Sequence, residues 1–154
     1  MEGCIPEDLL SINRILVRKG WMTINQYNST LESVGFTSYE SRDKPYPLPT
    51  QKKNKKLKGK AVSNWVHIRN WPLIVKKYIL VNDDPVLRLG LMLNEIVERL
   101  VALEFYEHEI DIVEDQIVNY LDLRKTVRDE FPDLMLNPKP KHHFIRKDAM
   151  WQYF

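Results

Sequence analysis

A single cysteine, Cys4, leaves the chain without an internal disulfide and without a cysteine-based zinc site. Sparse cysteine suits a reducing compartment, and the expected location is intracellular, in the nucleus or the cytoplasm. No apolar run reaches the roughly 18 residues that a membrane-spanning helix needs, so no membrane partner is expected. The N-terminus has no basic stretch followed by an apolar core, so no signal peptide is read there. An alternating strand pattern, an internal repeat and a His-Glu-x-x-His arrangement are also missing. What remains is enough for a folded domain. The chain has 154 residues, 44% of them hydrophobic, with four Trp, which argues against global disorder and allows a sizeable core.

A net charge of +2 conceals a segregation along the chain. Residues 42–77 carry eleven Lys or Arg against one acid, Asp43. Residues 82–115 carry ten acids against Arg88 and Arg99, and residues 124–147 return to seven basic against three acidic. Basic blocks on both sides of an acidic one can meet an external polyanion or the acidic middle of the same molecule.

Periodicity divides the chain into helices. Leu9, Ile12 and Leu16, with Ile5, share a face over 6–19, where Pro6 suits the first turn and Gly20 the stop. Ile24, Tyr27, Leu31 and Val34 mark a second helix over 23–34. Pro45, Pro47 and Pro49 then impose extended geometry, and 36–50 reads as a surface segment. The lysine-rich stretch 51–60, with six lysines in ten residues, reads as a mobile connector. Order resumes at Ala61 with a short helix broken near Pro72 and another over 73–80.

The clearest element follows. Asp83 or Asp84 caps it, Pro85 takes the first helical position, and Val86, Leu89, Leu93, Ile96, Val97 and Leu100 form its stripe. Ile110, Val113, Ile117, Leu121, Arg124 and Val127 trace a second long stripe. The fold class is mainly α: an irregular helical domain with a long antiparallel helical hairpin. Four regions are expected: 1–50, N-terminal helices and a Pro-rich extended segment; 51–60, the lysine-rich connector; 61–137, a helical core; and 138–154, a basic tail.

Sites of chemistry are scarce. Asp83-Asp84 beside Pro85 reads as a cap and not as a metal-binding pair. Glu107, Glu109, Asp111, Glu114 and Asp115 spread around a helix without calcium-loop spacing, as a solvated face does. Adjacent His142 and His143 point to opposite sides in an extended chain and share no metal readily. Cys4 has no neighbouring His to activate it. Trp65, Trp71 and Tyr78 have the spacing of core residues, although aromatic side chains also stack on bases. No catalytic, cofactor-binding or metal-binding residue is assigned, and no small-molecule substrate is evident. The candidate nucleic-acid contacts are Lys52, Lys53, Lys55, Lys56, Lys58 and Lys60 in the connector, with Lys139 and Lys141 in the tail. A cleft around His67 or His108 serving acid/base chemistry is the remaining alternative.

The order of segments resembles CACTA/EnSpm-like transposases and their animal relatives. Met1 to Glu7 is similar to the tail of the helix that follows their Asp-x-x-His motif. Arg42-Asp43-Lys44-Pro45-Tyr46-Pro47-Leu48 resembles their Asn-Lys-Pro-Pro linker, and Leu57 to Trp65 their basic lead into a helical region. Asn82 to Val101 is similar to an acidic start with an Arg-Glu-Ile-Val-like centre, here Asn94-Glu95-Ile96-Val97. Pro138-Lys139-Pro140-Lys141-His142-His143-Phe144-Ile145 resembles their closing motif. The resemblance implies a helical region lying between the catalytic elements of an RNase H-like, two-metal DNA transposase. The Asp-x-x-His motif has no counterpart here. After Ile145 the chain reads Arg146-Lys147-Asp148, where relatives continue with His-Tyr-Pro and a later acidic segment. The expectation is a transposon-derived helical fragment, truncated at both ends and without catalysis of its own, touching DNA weakly and non-specifically. A small helical module that binds a protein partner is the alternative.

Overall fold

The computed structural model describes residues 5–102 and 106–135, and within them the protein is built from five α-helices with no strand. Helix α1, Ile5–Arg18, opens with Glu7 and Asp8 near the free backbone N–H groups and closes with Arg18 near the free carbonyls. That charge placement favours a helix. Gly20, at φ 76°, supplies the left-handed turn that ends it. Helix α2, Ile24–Ser33, begins at a reciprocal cap. The Thr23 hydroxyl accepts from the Gln26 N–H, and the Gln26 side chain accepts from the Thr23 N–H.

Helix α3, Ala61–Val75, runs straight through Pro72 and passes into a 3-10 turn at Lys76–Tyr78. Two helices separated near Pro72 were expected; one is found. A proline in mid-helix deprives the carbonyl four residues earlier of its donor. Here that carbonyl belongs to Ile68, and the side-chain amide of Asn94, on the neighbouring helix, donates to it at 2.8 Å. The orphaned acceptor is satisfied from outside the helix, so no break is required.

Helix α4, Pro85–Leu100, starts as its sequence suggests. The Asp84 carboxylate accepts from the N–H groups of Val86 and Leu87 at 2.8 and 3.2 Å, and Pro85 occupies the first turn. Lys19 forms an ion pair with the same carboxylate. Helix α5, Glu107–Glu130, packs along α4. Its buried stripe is Val113, Ile117, Tyr120, Arg124 and Val127. Ile110, expected in that stripe, is exposed and Leu121 is half-buried, so the inward face lies slightly round from the one anticipated.

One core gathers all of this. Leu9, Ile12, Leu16, Trp71, Leu89, Leu93, Ile96, Val113 and Ile117 belong to a single buried cluster, together with Leu48 and Leu57. Trp71 lies so close over Gly90 that a Cβ there would meet its ring at 2.3 Å. Glycine in α4 lets α3 and α4 approach.

Helix α1 is far more central than a single apolar face implies. Every residue from Asp8 to Asn13 is buried, as are Ile15 and Leu16. The burial of Asp8 is made tolerable by three donors. Tyr120 Oη donates to it at 2.6 Å, and Arg124 donates through Nε and Nη2 at 2.8 and 2.7 Å. Asp8 and Arg124 are 1% and 6% exposed, so water does little to compensate either charge and the ion pair between them matters.

This arrangement predicts an asymmetry. Asp8→Asn, which removes the carboxylate charge facing buried Arg124, should cost about 3–5 kcal/mol in denaturant unfolding. The double variant Asp8→Leu/Arg124→Met should cost distinctly less than the two single substitutions combined. Additive losses would mean the two charges do not depend on one another.

Candidate nucleic-acid interface

The connector is the chain's most basic stretch, and its backbone is held. Leu57, in the middle of the lysines, is 3% exposed and belongs to the core. Its N–H donates to the Pro6 carbonyl at 3.1 Å, which ties the connector to the start of α1. From the next turns of α1, Arg14 donates through Nη1 to the Asn54 carbonyl at 2.6 Å and through Nη2 to the Gln51 carbonyl at 2.9 Å. Gly59, at φ 110°, turns the chain where a Cβ would stand 2.9 Å from the Tyr46 ring. The expectation of a freely mobile connector fails at Leu57. One apolar residue and an arginine fork anchor a segment whose composition alone suggests disorder.

Anchoring leaves the cations outward. Lys52, Lys53, Lys55, Lys56, Lys58 and Lys60 are all exposed. They form a surface array on a fixed backbone, the arrangement that releases counterions when a polyanion docks. The segment before it is likewise less superficial than expected. Leu48 is buried, and its backbone is clamped by Asn28, which donates to the Leu48 carbonyl at 3.1 Å and accepts from its N–H at 2.7 Å. Lys139 and Lys141, with His142, His143 and Cys4, lie outside the described residues.

The aromatic candidates face inward. Trp71 is fully buried and donates from Nε1 to the Asn13 side chain at 3.0 Å. Tyr78 is bound by Thr30 at 2.7 Å and by the Gln26 carbonyl at 3.0 Å. Trp65 is half-buried, with the Arg69 guanidinium 5.6 Å from its ring. Arg69 also lies 3.8 Å from Glu40 and 3.7 Å from Glu98, so its charge is shared with two acids.

The two histidines do not form a common cleft. His67 is 1% exposed, with Nε2 2.8 Å from the Tyr27 hydroxyl. Burial pushes the Tyr27 phenol well above its ordinary value and draws the His67 imidazole down to about 4. Both therefore stay neutral in a sealed polar pair between α2 and α3, where no substrate reaches them. His108 is exposed and stacks on Tyr106 at 5.8 Å. Among the described residues, no three His, Cys, Asp or Glu side chains gather closely enough to hold a metal ion. Nor is any of the described helices long and apolar enough to cross a membrane.

The sequence alone did not single out Arg14, which grips the connector, or Asp8 and Asn94, which tie α1 to α5 and α4 to α3. Each has another polar residue beside it (Glu7, Asn13 and Glu95), so nothing local marked it out. Protein-family models, curated proteins and solved structures provide no match to the chain.

The neutral His67 carries a pH signature. The unfolded imidazole binds a proton near its ordinary 6.5, whereas the folded one resists until about 4. This contribution is complete above pH 6.5 and is lost as pH falls towards 4, by roughly 3 kcal/mol over the window. Unfolding free energies measured across that range should decline for the wild type and decline less for His67→Gln. Parallel pH profiles would place a charged imidazole in the fold.

Proposed function

We propose that this chain is a helical module without catalysis of its own that presents a fixed array of cations to DNA. The contact is weak, electrostatic and indifferent to base sequence. The observation that carries the reading is the connector: six exposed lysines on a backbone tied to α1 through Leu57 and Arg14. Lysines meet phosphates as point charges, and nothing in 51–60 offers the rigid helix or ribbon that reads base edges in a groove. Affinity in the usual non-specific range, about 10⁻⁴–10⁻⁶ M at physiological salt, follows from such contacts. The resemblance to the helical region of CACTA/EnSpm-like transposases supplies DNA as the polyanion. In that reading the chain corresponds to a part that accompanies the catalytic elements, and none of its residues is assigned a catalytic role.

A module that binds a protein partner is the second reading. Leu73 and Leu80, 66% and 70% exposed, are the large apolar side chains such a partner would cover. The two readings differ in salt dependence.

Binding to duplex DNA of arbitrary sequence should fall with a log–log salt slope of up to about −5 if all six lysines engage. Replacing the six with glutamine should flatten that slope and leave helix content unchanged, because their side chains lie outside the core. Absence of binding at low salt, or undiminished binding by the variant, would overturn the array as the contact.

A further inference from the structure

Beside the outward lysines lies a feature that the polyanion reading does not use. A groove of about 480 Å³ opens between α1, the connector and residues 133–134. Arg14, Lys52 and Lys55 are among the side chains that line it, and Val17, Ile24 and Leu134 give it apolar surface. Arg18 and Asp133 also border it and neutralise one another through two bonds, at 2.9 and 2.6 Å. Once that pair is set aside, three cations remain. Among the described residues Arg14 donates to two backbone carbonyls and pairs with no carboxylate within 4 Å. Lys52 and Lys55 are exposed and form no ion pair within 4 Å among the described residues, although Lys52, behind the bonds from Arg18, also helps to hold the Asp133 carboxyl below its usual range.

The charge is also held in place. Arg14 is half-buried, and its fork is fixed by the Asn54 and Gln51 carbonyls on the same connector that carries both lysines. A guanidinium keeps its charge even where burial lowers its pKa, as it does here. A ligand carrying two negative charges would complete the site, since a phosphate monoester matches fixed cations at short range. The volume far exceeds one phosphate and falls within the roughly 300–1,000 Å³ typical of small-molecule sites. Val17, Ile24 and Leu134 would then cover an organic moiety with a large non-polar face.

We infer that this groove binds a phosphate monoester of nucleotide size, its phosphate against Arg14, Lys52 and Lys55 and its base over Val17, Ile24 and Leu134. Such a group is found on a free mononucleotide and at the 5′ end of a nucleic-acid strand. This site is separable from the electrostatic array, because Lys53, Lys56, Lys58 and Lys60 do not line the groove.

Calorimetric titration of the full chain tests it, with adenosine 5′-monophosphate, adenosine and inorganic phosphate as probes. The nucleotide should saturate one site and bind about tenfold or more tightly than either adenosine or inorganic phosphate, because each lacks one half of the contacts. Lys52→Gln/Lys55→Gln should weaken it by about tenfold without moving the melting transition, since both side chains are exposed. The variant with glutamine at 53, 56, 58 and 60 should bind the nucleotide as the wild type does while losing most salt-dependent duplex binding. In that variant, a short single strand with a 5′ phosphate is compared with the same strand without one. Tighter binding of the phosphorylated strand than of both the unphosphorylated strand and the mononucleotide assigns the strand end; no gain from the strand's 5′ phosphate assigns the free nucleotide, and either outcome sustains the site. No nucleotide binding by the wild type, binding unaffected by Lys52→Gln/Lys55→Gln, or inorganic phosphate binding equally well would each overturn the inference. No duplex binding by the wild type even at low salt, with its nucleotide binding intact, would overturn the polyanion reading and leave this one standing.

Discussion

The buried carboxylate of Asp8 constrains this molecule more than any other group. A charge removed from water in the middle of a core is tolerable only where donors converge on it, and Tyr120 and Arg124 do so from a helix more than a hundred residues away in sequence. Apolar packing alone would let α1 rotate or slide against its neighbours with little penalty. Three directional bonds to one carboxylate set its rotation and its height relative to α5. Helix α1 then contacts α3 and α4 with nearly all of its central turns, and Asn13 meets Trp71 on the way.

Fixing α1 fixes the basic face. Arg14 and Arg18 stand one turn apart and so share a side of the helix. Arg14 grips two carbonyls of the connector, and Arg18 grips Asp133 beyond the end of α5. The connector's lysines would repel one another into an open chain if the segment were free. Instead, Leu57 enters the core, its N–H finds the Pro6 carbonyl, and the cations are displayed from a defined base. Both functional proposals rest on that base, one through all six exposed lysines and the other through the two of them that border the groove.

What the sequence made legible follows the range of the interaction. The start of α4 was readable because Asp84, Pro85 and the first turn are neighbours in the chain, and a cap is a local event. The mainly α class was readable because apolar residues recur at three and four along α4 and α5. The continuity of α3 was not, since it depends on Asn94 reaching Ile68 from another helix, and Pro72 alone argues for a break. Arg124 could be placed in the inward stripe by its spacing, but its partner Asp8 lay beyond the reach of any periodicity. Leu57 was outweighed by six lysines when averaged over its segment, although a single apolar side chain suffices to anchor a loop. The groove was invisible for the same reason: it is made from α1, the connector and the turn after α5, three pieces distant in sequence.

The central claim is that 51–60 is a fixed part of the domain, and amide hydrogen exchange of the native protein addresses it directly. The Leu57 N–H, bonded to Pro6 within the core, should be protected to a degree comparable with amides in the middle of α1, while its lysine neighbours without backbone bonds exchange quickly. A Leu57 amide exchanging at the rate of an unstructured peptide would contradict the account, because the cations would then sit on a loose chain and neither the array nor the groove would have a defined shape.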